Sequence, residues 1–270
     1  MSNQFPLRGQ PLQTTPRICY YKQLPMITTL KKLIGQNVSA LSIEKNAVDA
    51  YNLWAENYDA QPGNLMLDLD ELVFSGLLKG VDIQHKQVAD IGCGTGRHWH
   101  EILKNAPLSL TGFDVSPGML HRLQAKFPEA HTHVISDNLF SFVPDALYDV
   151  IVSTLTVAHI EYLDQALQAW CRILKPIADI IITDFHPNAL AFGGKRTFEY
   201  HKTQISVQNF VHYLADIKEV LLKHNFRVIK VDERIVDEPV KHYYTAKNAL
   251  HVYEKFKGSR IIYGIHLRRG

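Results

Sequence analysis

The chain has no apolar run of 18 residues, so it offers no stretch of the length a bilayer-spanning helix needs. It has no long basic or acidic block either. Its 29 Lys and Arg against 27 Asp and Glu leave a net charge of +2, and bulk electrostatics give no reason to expect nucleic acid as a partner. Cysteine is scarce. Cys19, Cys93 and Cys171 lie far apart and form no C-x-x-C pair, which argues against structural zinc or a disulfide scaffold and fits a reducing compartment. No Asp and His cluster stands at metal-ligand spacing, so no metal is expected. The first residues lack the apolar core of a secretory signal, and the expectation is a cytoplasmic protein, monomeric or homodimeric. Nothing repeats internally and no segment is of low complexity. Histidine is plentiful at 14, which weakens any argument from one histidine alone.

An apolar content of 46% is ordinary for a chain with a sizeable core, and 270 residues suit one domain with embellishments. The stretch around which the rest is arranged is Gln87-Val-Ala-Asp-Ile-Gly-Cys-Gly-Thr-Gly-Arg97. It reads as a buried strand, a glycine turn and the start of a helix. A glycine turn lets a ligand lie against the backbone, and the free N–H groups of the helix then point at that ligand. A dinucleotide fingerprint needs a third glycine at the position Arg97 occupies, which counts against a nicotinamide or flavin dinucleotide. The next strand, Leu108-Ser-Leu-Thr-Gly-Phe-Asp114, ends in an acid 18 residues past Gly96. A carboxylate there can accept both ribose hydroxyls of a nucleoside.

The acidic-x-Gly-x-Gly-x-Gly order followed by Asp114 resembles the class I S-adenosylmethionine-dependent methyltransferases, of the small-molecule, ubiquinone- and menaquinone-biosynthesis type. The likeness spans about residues 45 to 267, with its specific motifs between Gln87 and Asp184. It implies S-adenosylmethionine as cofactor, S-adenosylhomocysteine as product, and a seven-stranded, mostly parallel, doubly wound α/β sheet with helices on both faces and an antiparallel last strand. It also implies roles. The backbone at Gly92, Gly94 and Gly96 would carry the cofactor, with Asp90 holding the turn. Asp114 would take the ribose, and Val115 and Met119 would pack on the adenine. Asp137, with Asn138 beside it after the third strand (His131 to Ser136), would accept from the adenine amino group. Ser153 closes the fourth strand, Tyr148 to Ser153, at the cofactor edge. Ala50-Tyr-Asn-Leu-Trp-Ala-Glu-Asn-Tyr-Asp59 looks like the aromatic helix that precedes the glycine motif, with Tyr58 closing over the methionine end and Arg97 reaching it. His159, in the loop after the fourth strand, matches the general base of some relatives; its other reading is a cap or packing group at the next helix. Ser153-Thr-Leu-Thr is not the Asp/Asn-Pro-Pro-aromatic signature of DNA or glutamine methylation. The implied reaction is methyl transfer to an oxygen, nitrogen or carbon of a small-molecule acceptor. The alternatives are a protein or tRNA methyltransferase, or a non-catalytic S-adenosylmethionine-binding module.

The rest of the chain frames that motif. Residues 1–42 read as an N-terminal arm rich in proline, with Met26 as an alternative start, and 43–270 as the methyltransferase domain. Helices are expected from Ala47 to Tyr58, from Leu67 to Leu78, after Ser116-Pro117, and from Leu163 to Leu174. Residues 185–205 form the least regular region past residue 60. They are either a substrate lid, with His186, Arg196, Tyr200 and His201 as acceptor contacts, or a solvated connection. Ser206 is expected to cap a helix carrying Val207, Phe210, Val211, Leu214, Ile217 and Leu221. Strands at Phe226 to Asp232 and Ile261 to Leu267 end the chain, with a helix between them near Ala246 to Lys255.

Overall fold

The computed structural model describes residues 42–270. The arm expected over 1–42, Ser42 apart, and the alternative start at Met26 lie outside the described residues. In chain order the strands are β1 (Ile43–Lys45), β2 (Gln87–Ile91), β3 (Ser109–Asp114), β4 (His131–Val134), β5 (Tyr148–Thr154), β6 (Leu174–Phe185), β7 (Thr197–Tyr200), β8 (Thr203–Val207), β9 (Phe226–Ile235) and β10 (Arg260–Arg269). The helices are α1 (Ala47–Trp54), α2 (Leu65–Leu78), α3 (Trp99–Lys104), α4 (Pro117–Lys126), α5 (Leu163–Ile173), α6 (Pro187–Ala191), α7 (Leu214–Lys223), α8 (Lys241–Ala246) and α9 (Leu250–Phe256).

Seven strands build the main sheet in the order β4-β3-β2-β5-β6-β10-β9. The first five run parallel, and β10 is antiparallel to both β6 and β9. The expected doubly wound sheet with its antiparallel last strand is therefore what forms. Its residues alternate between two cores, as a period of two requires. Ala89, Ile91, Ile151, Ile180 and Ile182 join the core under α5 and α7. Val88, Val150, Val152 and Ile181 join the core that holds α2, α3 and α4. The chain winds outward through β3 and β4, then returns to lay β5 against the other side of β2. That reversal opens a crevice at the C-terminal ends of β2 and β5, where ligands of such sheets bind.

A second sheet, β1-β8-β7, is not foreseen by the sequence reading. Ile43 pairs with Ile205 in parallel, and β7 and β8 form a hairpin with Tyr200 opposite Thr203. His201 and Lys202 take positive φ at its turn, and the primed geometry that such residues give suits the twist of a hairpin. Residues 185–205 are thus largely ordered as the end of β6, a short helix and this hairpin. The helix expected to start at Ser206 is a correction. Ser206 is a buried strand residue, and the helix begins eight residues later at Leu214 with Tyr213 as its cap. The run Thr203-Gln-Ile-Ser-Val207 is rich in β-branched residues, and pairing on both sides within the small sheet outweighs its helical spacing. Phe198, Ile205 and Val207 close a third core with Ala50, Trp54, Tyr58 and Met119.

Candidate cofactor and acceptor site

The glycine turn after β2 forms one wall of the crevice. Gly92 and Gly94 have φ of +73° and +53°. A Cβ on Gly92 would run into the Thr156 side chain, whereas at Gly94 the space is open and belongs to a cavity. Asp114 ties this turn to the next strand. Its Oδ2 accepts from the Gly94 N–H at 2.8 Å and its Oδ1 from the Ser116 N–H at 2.8 Å. Burial pushes its carboxyl up to about 6, against the downward pull of those N–H groups. Asp90 lies beneath the turn and accepts from Trp99 Nε1 at 2.8 Å; burial pushes it up to about 7.

Helix α1 closes the crevice from above. Asn46 caps it, accepting from the Asp49 N–H at 2.8 Å. Asn52 then fastens it to the start of α4, its Oδ1 accepting from Ser116 Oγ at 2.7 Å and from the Gly118 N–H at 3.0 Å. The chain leaving α1 is pinned in turn, because Asp59 accepts from Thr95 Oγ1 at 2.6 Å, in the glycine turn itself.

Between these walls lies a cavity of about 280 Å³. Gly92, Gly94, Asp114, Val115, Ile135, Asn138, Thr154 and Thr156 reach it from the C-terminal ends of four parallel strands. Tyr51, Tyr58, Met119, His159, Gln208 and Phe210 complete much of the rest. The polar focus is His159. Its Nδ1 sits 2.8 Å from the Gln208 carbonyl oxygen, which can only accept, so Nδ1 carries the proton. Nε2 is left as the acceptor for the Tyr51 hydroxyl at 2.9 Å. Burial pushes His159 down to about 4, so the ring is neutral near pH 7. Burial pushes the Tyr51 phenol up, so it keeps its proton and donates.

Eight expected site residues therefore meet around one cavity: Tyr58, Gly92, Gly94, Asp114, Val115, Met119, Asn138 and His159. Others stand elsewhere. Asp90 and Gly96 lie behind the turn, Gly96 against Leu123. Arg97 turns away to Asp70 and the Leu67 carbonyl. Asp137 is exposed and accepts from the Leu139 N–H, and Asn138 takes its place at the cavity. Ser153 donates to the Ile91 carbonyl at 2.9 Å and so joins β5 to β2. His186 donates to Glu233 and caps α6, while Tyr200 and His201 sit at the hairpin turn. Arg196 is buried behind the cavity's aromatic wall, donating to the Tyr58 hydroxyl at 2.8 Å. Sequence reasoning missed Thr156, Gln208 and Phe210. No local pattern marks Gln208, because it acts through its backbone carbonyl.

Comparison with known proteins bears on this geometry. Residues 89–182 match the methyltransferase domain family. An uncharacterized methyltransferase of Emericella nidulans is 26% identical over 235 residues, covering 71% of this chain and 81% of that protein. The protein is an S-adenosylmethionine-dependent methyltransferase. A malonyl-[acyl-carrier protein] O-methyltransferase of Serratia marcescens is 31% identical over 155 residues, 55% of this chain and 56% of that protein. The fold of this methyltransferase also matches magnesium protoporphyrin IX methyltransferase from Synechocystis PCC 6803 with bound S-adenosylhomocysteine. The TM-score is 0.54 and the identity 15%, over 82% of this chain and 94% of that one. The cofactor is S-adenosylmethionine, and the residues present fit it. The open space at Gly94 admits a ligand against the backbone, and Asp114 offers a buried carboxylate on the cavity wall at the end of β3.

Proposed function

We propose that this methyltransferase methylates an oxygen, nitrogen or carbon of a small molecule, and that His159, reached through Tyr51, takes up the acceptor's proton. The observation that carries this reading is the hydrogen bond from the Tyr51 hydroxyl to His159 Nε2 on the cavity wall, with the tautomer set by the Gln208 carbonyl. The O-methyltransferase named among the relatives supports an oxygen acceptor. When bound, S-adenosylmethionine supplies the methyl carbon and keeps the electron pair of the broken S–C bond on sulfur.

The chain's own residues orient and deprotonate. Gly92, Gly94 and Asp114 hold the nucleoside, and Val115, Met119 and Asn138 bound the base. Tyr51 takes the acceptor's proton as its own passes to Nε2, which leaves the acceptor's electron pair free to attack. His159 then carries both protons, with Nδ1–H still donated to Gln208, and loses one to solvent after transfer. The Arg196 guanidinium, 5.9 Å from the Tyr51 ring centroid, favours the negative charge that passes through the phenol. The test is turnover against an acceptor panel. His159→Asn and Tyr51→Phe are each expected to lower kcat by about 10²–10⁴-fold while S-adenosylhomocysteine still binds. Wild-type turnover in both variants would refute the relay.

A further inference from the structure

The residue before His159 is held at both of its backbone groups. His159 ends a short 3-10 turn, Val157–His159, after β5. The first N–H groups of such a turn have no partner within it and need a side chain ahead of it. Thr156 stands at that capping position but gives no cap. It shares its hydroxyl hydrogen between the Thr154 carbonyl at 3.0 Å and the Gly92 carbonyl at 3.3 Å. The acceptor comes instead from another strand. Asp184, on β6 and 1% exposed, accepts from the Ala158 N–H through Oδ2 at 2.8 Å and from the Phe185 N–H through Oδ1 at 2.6 Å. The Ala158 carbonyl in turn accepts from the Phe210 N–H at 2.7 Å.

The loop that this bond holds is strained. Leu155 has φ of +52°, a left-handed backbone that costs a non-glycine residue energy, so its surroundings must hold it. Both supports come from the end of β6. The Leu155 N–H donates to the Thr183 carbonyl at 2.7 Å, and the Ala158 N–H donates to the next residue, Asp184. Burial pushes the Asp184 carboxyl up to about 7, against the pull of its two N–H donors and of Arg196. That cation lies among the rings of Trp54, Tyr58, Tyr51 and Phe185, 5.1 to 6.0 Å from their centroids. An N–H bond to a carboxylate is shorter and stronger than one to a neutral acceptor. The gain is felt one residue later. The His159 ring must stand 2.8 Å from the Gln208 carbonyl at Nδ1 and 2.9 Å from the Tyr51 hydroxyl at Nε2. Gln208 lies two residues before Phe210, the donor to Ala158, so the turn and the segment after β8 are held in one register.

We propose that Asp184 is a positioning residue of this site: through the Ala158 N–H it sets the turn that holds the His159 ring between Gln208 and Tyr51. Asp184 does not itself line the cavity. Its effect on turnover rests on the relay proposed above, whereas its effect on the His159 tautomer does not.

Two-bond proton–nitrogen spectra of the full chain, labelled with nitrogen-15 at histidine, read that tautomer directly. They are recorded at about pH 8, above the Asp184 value of about 7. The ring whose signals vanish in His159→Asn is His159, and in the wild type its proton is expected on Nδ1. In Asp184→Ala that pattern is expected to shift to the averaged one of an unconstrained imidazole, while the S-adenosylhomocysteine Kd stays within about threefold. General damage to the fold would move both. Asp184→Asn keeps one acceptor oxygen and is expected to shift the pattern by less; it carries the test if the Ala variant fails to fold. With an acceptor that turns over, Asp184→Ala should lower kcat about tenfold or more at unchanged KM, and add nothing in the His159→Asn background. An unchanged Nδ1 pattern in the variant that carries the test overturns the proposal, as does a loss of kcat that multiplies with that of His159→Asn. Wild-type turnover in His159→Asn, with the Nδ1 pattern still lost in Asp184→Ala, would instead overturn the relay alone.

Discussion

Asp114 shows how one residue couples burial to ligand chemistry. In the proposed role its carboxyl, raised by burial to about 6, must be ionised to accept well from ribose hydroxyls. At pH 5 it is mostly protonated and at pH 7 mostly charged. Cofactor affinity is therefore expected to rise about tenfold from pH 5 to pH 7, the change in its ionised fraction. Asp114→Asn should bind more weakly at pH 7 and lose that slope, which calorimetry at two pH values checks. His159 gives stability a pH dependence of the same sign. Its folded pKa is depressed to about 4, so the neutral ring's contribution is complete above about 6.5 and is lost as pH falls through 4. The residue bonded to it, Tyr51, was legible in the sequence only as a member of the aromatic helix that precedes the glycine motif. Its role depends on where the ring of His159 stands.

At the scale of elements, α2 does more than fill a core. Asp70, fully buried on this helix, accepts from Arg97, from His98 Nε2 at 2.9 Å and from Thr183 on β6. Burial alone would raise its carboxyl, but Arg97 and His98 hold it well below the ordinary range. The cluster thereby fastens the segment after the glycine turn to the sheet. Asp70→Ala leaves Arg97 and His98 without their acceptor and is expected to cost roughly 3–5 kcal/mol, read as a lower midpoint in urea denaturation. The β7–β8 hairpin and β1 have a comparable reach. They deliver the Gln208 carbonyl to His159 and Arg196 to Tyr58. Neither could be read locally, because the β1–β8 pairing joins residues 43 and 205 across most of the domain.

For the whole molecule, the site is a seam. It draws on the ends of β2, β3, β4 and β5, on α1 and on the chain after β8, so a ligand there binds the folded state and not the unfolded one. S-adenosylhomocysteine at 100 times its Kd should stabilise the protein by about 2.7 kcal/mol, seen as a raised Tm that Asp114→Ala reduces at the same ligand concentration.

The sequence by itself determined the parallel α/β core, the strand–glycine turn–helix unit and the acid that ends β3. Each is a local pattern: apolar strands, three glycines at alternate positions, and a carboxylate one strand on. It also placed His159 in the loop after β5. Only the tertiary structure decided which of the marked residues meet. It turned Arg97 toward Asp70, exchanged Asp137 for Asn138 at the cavity, and buried Arg196 among four rings. It also gave His159 its tautomer through a backbone carbonyl 49 residues away. These outcomes depend on side-chain direction and on pairing between distant segments. Packing sets both, and neither leaves a period in the sequence.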